Sequence, residues 1–332
     1  MKPAFTRGTR IAGTGSALPE QRLTNADLAA MMDTNDEWIR QRTGIRERRK
    51  AGPNDTAVSL GSTALRRAIE SAGIAPTDLD MVIVATVTGE MTCPATASRI
   101  GEAVGCGVVG AFDLAAACSG FVYGLNLADT IVRSGRAERV GVVGVELLTR
   151  IVDYDERGTS ILFGDGAGSA VVVADPDPNR GCIFQTMRGD GRMWRTLYHP
   201  HAPSDVPPGD EANPIRLGHL RMHGREIYKF AVTRFQEAIQ ECLTSTGLQV
   251  NDVQQYLCHQ SNLRIIESAM EKLHLPPERV YVNIDRIGNT SSASLGICLD
   301  ECVRGGRITP GKPIVMVAFG AGVTWASTVW NM

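Results

Sequence analysis

The stretch Asp113-Leu114-Ala115-Ala116-Ala117-Cys118-Ser119-Gly120-Phe121 joins an apolar, strand-like run to a helix-like run and places one cysteine at the junction. A helix N-terminus leaves backbone N–H groups unpaired and carries about half a unit of positive charge, so a thiol there is expected to ionise below its free pKa of about 8.5. The thiolate is the reactive form, and the small residues Ala115 to Ala117, Ser119 and Gly120 leave room for a substrate to reach the sulfur. Cys118 is therefore a candidate nucleophile. A buried core thiol is the competing reading, because that is where most free cysteines sit.

Outward from this junction, helical patterns alternate with apolar strands. Residues 56–72 and 95–104 carry helical patterns, a helix is expected from Cys118 to about residue 134, and residues 81–87 and 140–145 are continuous apolar runs of strand length. Such runs suit strands buried on both faces of a sheet, and their alternation with helices argues an α/β architecture.

The second half of the chain echoes the first. An offset of 171 places Cys118 over Asn289, Asp129 over Asp300, Arg133 over Arg304, Gly135 over Gly306 and Arg136 over Arg307. An offset of 174 places Gly73 over Gly247, Asp78 over Asp252 and Ala85 over His259. These matches fall at equivalent points of one helix–turn–strand pattern, which predicts a duplication with halves 1–176 and 177–332 about a pseudo-two-fold axis. Cys118 and Asn289 would then sit at equivalent helix starts facing each other, with His259 ending a strand whose counterpart carries only Ala85. A cysteine, a histidine and an asparagine converging at an axis form a set for nucleophilic chemistry on a carbonyl. Taken singly, His259 also reads as a hydrogen-bonded core histidine, and Asn289 as a plain helix N-cap.

The bulk numbers leave this reading open and close others. The 332 residues are 43% apolar and 21% charged, near the globular average. Lysine and arginine number 34 against 36 acidic residues, a net charge of −2 that gives no general pull toward nucleic acid. Eight cysteines occur without a CxxC pair or zinc-like spacing, so neither a metal site nor a disulfide framework is expected. Residues 1–10 lack an apolar signal region and no run approaches about 18 apolar residues, which predicts a soluble cytoplasmic protein without a membrane span.

Four further segments carry candidate roles. Arg40, Arg42, Arg46, Arg48, Arg49 and Lys50 follow Trp38, and read either as a solvated surface run or as a phosphate-binding patch beside a ring able to stack on a purine. The glycines of Gly164-Asp-Gly-Ala-Gly168 are expected in a turn between apolar runs. They lack the lysine of a P-loop and the spacing of a dinucleotide fold, so close backbone packing of two strands is the favoured reading. Residues 199–214 hold five prolines and predict a loop or flap. Residues 319–325 (FGAGVTW) form a glycine-containing turn whose backbone N–H groups, with that of Cys118, would suit an oxyanion hole.

Taken together, DLAAACSGF, HQSNLRI, GNTSSAS and the terminal AFGAGVTWAS resemble the β-ketoacyl-acyl carrier protein synthase III family of the thiolase superfamily, from about Ile11 to the C-terminus. The resemblance implies a five-layered αβαβα fold of two duplicated halves, normally a homodimer. It implies an acyltransferase that condenses an acyl-CoA primer with malonyl-acyl carrier protein, initiating fatty acid synthesis without a cofactor or metal. Cys118 matches the acylated nucleophile, His259 and Asn289 the pair that assists decarboxylation, and the N–H groups of Cys118 and Ala321 the oxyanion hole. Trp38 and Arg42 match the CoA-binding pair, while Lys229, Arg264 and Lys272 match basic positions for carrier-protein docking. Cys93 stands where a bulky aromatic residue usually lines the partner's acyl pocket, which puts an acetyl preference in doubt. Glu90 nearby leaves open a glutamate base of the kind used by head-to-head condensing relatives. Ala321 replaces a usual third glycine. The alternative within the superfamily is a specialised condensing or acyl-transfer enzyme of secondary metabolism with a different second substrate.

Overall fold

The computed structural model describes residues 6–210 and 217–332. Its two main sheets have five strands each. The first contains β1 (Gly8–Ala17), β2 (Met81–Ala85), β3 (Gly110–Leu114), β4 (Arg139–Leu147) and β5 (Asp165–Asp175). The second contains β6 (Gly181–Gly189), β7 (Gln255–Cys258), β8 (Val280–Tyr281), β9 (Pro313–Gly320) and β10 (Thr324–Asn331). Their orders, β1-β5-β4-β2-β3 and β6-β10-β9-β7-β8, are the same order repeated. In each sheet the three strands β2, β3, β4 or β7, β8, β9 run parallel, and the remaining pairings are antiparallel.

Helix α1 (Asp36–Thr43) packs outside the layers, which six helices set: α2 (Ala57–Ala72), α3 (Thr96–Val104), α4 (Gly120–Arg133), α5 (Gly224–Thr246), α6 (Leu263–Leu273) and α7 (Ala293–Arg304). One core joins α2 and α3 to the first sheet through Leu65, Ile69 and Ile100. A central core packs α4 and α7 between the sheets through Phe121, Leu125, Leu295 and Leu299. A third joins α5 and α6 to the second sheet through Phe235, Ile239 and Ile266. The result is αβαβα, with α4 and α7 as the shared middle layer.

The duplication extends to individual interactions. Asp129–Arg133 on α4 and Asp300–Arg304 on α7 are both i,i+4 ion pairs at 2.9 Å, with each carboxylate almost wholly buried. Both carboxylates also accept hydroxyl hydrogen bonds from β1, Asp129 from Thr9, and Asp300 from Thr14 and Ser16. Gly73 and Gly247 end α2 and α5 in the left-handed region, at φ 68° and 73°. Asp78 and Asp252 accept from the backbone N–H of Ala75 at 2.9 Å and Gln249 at 2.7 Å, closing equivalent 3-10 turns.

Three local expectations are corrected. Residues 165–175 form one unbroken strand, so Gly166 and Gly168 lie inside β5 and not in a turn. Their close packing is against a helix: a Cβ on Gly168 would fall 2.4 Å from Gly296 C and Ile297 N of α7. The basic run is not one patch, because Arg48 is fully buried and donates to Leu23 O, Asn25 Oδ1 and Ile161 O, while Arg40 pairs with Asp36. The proline-rich segment springs from a two-residue ribbon, Leu197–Tyr198 against Arg221–Met222. Residues 211–216 of that segment, including Pro214, lie outside the described residues.

Candidate active site

Cys118 lies in a one-turn 3-10 segment, Ala117–Ser119, two residues before α4, and is not the first residue of the helix. Ala117 holds φ 45°, a left-handed value unusual for a residue with a Cβ, and turns the chain sharply from β3 toward α4. The turn is tied to the second half through Ser119 Oγ and Thr324 Oγ1, 2.6 Å apart, one hydroxyl donating to the other and the second to Ala116 O, which lies 2.8 and 3.0 Å from the two oxygens. Gly320 makes this contact possible, since a Cβ there would fall 2.6 Å from Cys118 N.

Asn289 precedes α7 by four residues and is not its N-cap; that position is Ser292. Its backbone N–H donates to Leu162 O at 2.8 Å, and its carbonyl accepts from Gly164 N at 2.9 Å, fastening it to the first half. Its Oδ1 accepts from Ser291 N at 2.9 Å. Among the described residues Nδ2 makes no hydrogen bond, so a donor is left for the cavity that Asn289 lines. His259 follows β7, donates its backbone N–H to Val317 O at 2.9 Å, and packs edge-on against Phe319 with ring centroids 5.4 Å apart. Among the described residues neither of its ring nitrogens has a hydrogen-bond partner, although the residue is only 1% exposed. An orphaned buried imidazole is costly in a resting protein and implies a polar group that binds there.

Cys118, His259 and Asn289 line one cavity of about 420 Å³. Burial pushes the thiol up to about 12, with the Ser291 hydroxyl and the residue's own backbone N–H pulling the other way. The expectation of an easily ionised thiol thus fails for the resting site, where desolvation outweighs the helix start. Burial also lowers the His259 imidazole to about 3, so the ring is neutral throughout the working range. A neutral imidazole keeps one N–H donor and one lone pair.

Trp38, Arg42 and Arg264 line the same cavity. The Trp38 ring carries two guanidinium groups, Arg42 at 4.8 Å and Arg157 at 4.9 Å from its centroid. Arg264 is exposed at the rim, with its guanidinium 5.8 Å from the Tyr228 ring. Lys229 on α5 and Lys272 in the last turn of α6 are exposed but do not line the cavity. Gly320 reaches the cavity wall and Ala321 sits one residue beyond it. Cys93 is exposed and outside the cavity. Glu90 is held elsewhere, accepting from Ala57 N and Val58 N at the start of α2 and pairing with Arg99 at 2.6 Å.

Arg157, Arg225, Glu146 and Ser291 were not singled out from the sequence. Arg225 is exposed and lines the cavity, whereas Arg157 meets Trp38 only through the fold. Glu146 did carry a signal: it is the one charged residue after the apolar run 140–145, on a strand buried on both faces. Among the described residues no cluster of three or more potential metal ligands occurs.

Comparison with known proteins agrees with this fold. Residues 112–191 match the model for 3-oxoacyl-[acyl-carrier-protein] synthase III, and residues 243–332 match the model for its C-terminal part. A relative from Rhizorhabdus wittichii named beta-ketoacyl-[acyl-carrier-protein] synthase III is 44% identical over 96% of this chain and 97% of its own. The crystal structure of the 3-oxoacyl-[acyl-carrier-protein] synthase III from Aquifex aeolicus superposes with a TM-score of 0.90 at 39% identity, covering 98% of this chain and 100% of that one. The priming β-ketosynthase of the R1128 polyketide biosynthetic pathway superposes with a TM-score of 0.91 at 35% identity, covering 100% and 98%. With the duplicated sheets, the shared middle layer and these full-length similarities in hand, the chain belongs to the β-ketoacyl-acyl carrier protein synthase III family, with its thiolase-like αβαβα fold.

Proposed function

We propose that this protein condenses an acyl-CoA primer with malonyl-acyl carrier protein, through an acyl-Cys118 thioester, to initiate fatty acid synthesis. The observation that carries the reading is the meeting of Cys118, His259 and Asn289, from two halves of the chain, in one cavity of about 420 Å³. Cys118 sulfur attacks the thioester carbonyl, and coenzyme A departs with the electron pair of the broken C–S bond and a proton. Backbone N–H groups of Cys118 and Ala321 are the assigned oxyanion donors. The malonyl thioester then enters. His259, neutral, and Asn289 through Nδ2 donate to its carbonyl oxygen, which becomes the enolate oxygen as carbon dioxide leaves. The carbanion attacks the acyl carbon, and the Cys118 sulfur leaves as thiolate.

Trp38, Arg42 and, added by the geometry, Arg157 are assigned to the nucleotide end of coenzyme A, where a purine would take the place of a guanidinium on the indole face. Trp38→Ala is expected to raise KM for acyl-CoA about tenfold with little change in kcat, as loss of one stacking contact implies. Steady-state kinetics on both constants checks this. Arg264, Lys229 and Lys272 are assigned to carrier-protein docking, with Arg264 nearest the entrance. The halves are taken to divide at 176/177, between β5 and β6.

A homodimer is supported by the free edge strand β3, whose Phe112 and neighbouring Val108 are exposed. In such a dimer the exposed Cys93 would face the partner's acyl pocket. No helix among the described residues is long and apolar enough to cross a membrane, and all eight cysteines are free, which supports a reducing, cytoplasmic setting. We assign no cofactor to the reaction, because hydrogen bonds to the enolate oxygen supply the stabilisation it needs. The likeness to a priming ketosynthase of polyketide synthesis favours keeping a second reading: a condensing enzyme of secondary metabolism with another extender or acceptor.

Intact-mass analysis after incubation with a panel of acyl-CoA thioesters tests both. A mass gain of one acyl group, lost in Cys118→Ala, followed by β-ketoacyl product on adding malonyl-carrier protein, is the expected result. Acylation without decarboxylation of malonyl-carrier protein would leave the second reading; no acylation by any donor would defeat both.

A further inference from the structure

Residues 259–264 lead from the end of β7 into the first turn of α6 and carry one polar side chain that the chemistry above does not use. Burial falls off along them: His259 is 1% and Ser261 8% exposed, Asn262 is half-buried, and Arg264 stands exposed at the rim. His259, Ser261, Asn262 and Arg264 all line the cavity of the active site. Leu263 and Trp38 pack against the same apolar cluster. The segment therefore follows the cavity wall from the buried imidazole to the side chains assigned to the nucleotide end of coenzyme A.

The hydrogen-bonding groups beside Ser261 are already engaged. Asn262 Oδ1 accepts from Arg264 N at 2.9 Å, and its Nδ2 donates to Arg42 O at 3.0 Å. Thr43 Oγ1, on the same cavity, donates to Ile39 O at 2.7 Å and accepts from Ile45 N at 3.0 Å. Gln260 is fully buried; its Nε2 donates to Cys258 O and Tyr281 O, and its Oε1 accepts from Asn283 N and Ile284 N. These bonds hold the chain on both sides of Ser261, whose own N–H donates to His259 O at 3.0 Å. Among the described residues the buried Ser261 hydroxyl has no hydrogen-bond partner. An unpaired buried hydroxyl is a net cost to the fold, so one held rigidly on a binding wall calls for a polar group on the bound molecule.

We propose that Ser261 is a substrate-binding residue whose hydroxyl donates to the carbonyl oxygen of the amide nearest the thioester in the pantetheine arm. Two residues separate it from His259, a Cα distance of at most about 7 Å. With the thioester carbonyl at His259, the inner amide begins two methylenes beyond the sulfur and falls within that reach. The outer amide and the phosphates then extend toward Arg42 and Trp38. A bond to the arm, away from the reacting atoms, is made equally in the ground state and the transition state, so it lowers KM and leaves kcat alone. Acyl-CoA and malonyl-acyl carrier protein carry the same arm, and one side chain serves both half-reactions.

The proposal rests on acyl transfer to Cys118, so the test compares donors in that step. An N-acetylcysteamine thioester ends just beyond the inner amide, and an S-pentyl thioester of the same acyl group puts methylenes in its place. Acylation rates of Cys118 are taken from intact-mass time courses for the wild type and Ser261→Ala. The preference for the amide-bearing donor is expected to fall about tenfold in Ser261→Ala, the loss of one hydrogen bond, while the S-pentyl donor reacts at nearly the same rate in both proteins. With acyl-CoA itself, KM is expected to rise by the same factor at unchanged kcat. Urea unfolding gives a readout of the fold: the midpoint of Ser261→Ala is expected to stay or rise slightly, because an unpaired group is removed. An unchanged donor preference, an unchanged KM for acyl-CoA, or a clearly lowered urea midpoint, which would mean that the hydroxyl is used within the fold, would each overturn the proposal and leave the acyl-Cys118 reading standing. A wild type acylated by neither small donor nor any acyl-CoA would overturn both.

Discussion

His259→Ala and Asn289→Ala are each expected to reduce β-ketoacyl formation by about 10²–10³ while leaving acylation of Cys118 within a few-fold of the wild type. The separation follows from which half-reaction needs the second carbonyl to be polarised. In the proposed reaction acyl transfer to sulfur uses backbone N–H donors beside the Cys118 turn, and neither side chain belongs to that turn. Decarboxylation needs hydrogen-bond donors at the developing enolate, and here the structure keeps two in reserve. Among the described residues both His259 ring nitrogens lack partners, and Asn289 has its Oδ1 engaged by Ser291 N while Nδ2 is left over. Because burial holds the His259 imidazole near 3, far below the usual histidine value, the ring stays neutral well into acid. Condensation should therefore show no loss at the ordinary histidine pKa of about 6.5. Intact-mass measurement of acyl-enzyme and chromatographic assay of product separate the two steps. If condensation survives either substitution, the enolate-stabilising role falls; if acylation also disappears, the residue acts on the first step or on folding.

How much of this was legible in the sequence depends on the distance over which each constraint acts. The duplication could be read because its markers are locally costly groups. Asp129 and Asp300 are buried carboxylates, each paired with an arginine four residues on, so each pair keeps its spacing and its place relative to the turn that follows. The helix starts were misplaced by two to four residues for the opposite reason. Neither Ser119 nor Ser292 makes a side-chain cap, so the residues that usually announce a helix carry no such signal here. Arg157 stacks on Trp38 only because the fold brings two distant segments together. Arg48, read as one cation in a basic run, is instead a buried strut for three backbone and side-chain oxygens. Cys118 ionises less readily than its place near a helix start implies, because the helix start is a local feature, whereas the desolvation that opposes it is supplied by the whole tertiary structure.

The glycines of β5 make the same point in energetic form, and Gly168→Ala is expected to destabilise the protein strongly. Its Cβ would sit 2.4 Å from Gly296 C and Ile297 N, and 2.6 Å from Gly296 Cα. These are backbone atoms of α7, so no rotamer change can relieve the overlap; the helix must move off the sheet. Overpacking of this kind costs about 3 kcal/mol or more. Because α7 is half of the middle layer, a shift there also displaces Ser291, Ser292 and the Asn289 segment that leads into it. Urea denaturation should show a lower midpoint with an unchanged slope, and Gly191→Ala provides the reference, since its Cβ would meet nothing within 4 Å. Gly296→Ala faces Gly168 from the other side, with its Cβ 2.7 Å from Gly168 C. One displacement of α7 relieves both overlaps, so the double variant should lose clearly less than the sum of the two single losses. Strict additivity would mean that the two glycines are needed for separate reasons, and the close approach of α7 to β5 would not be what selects them.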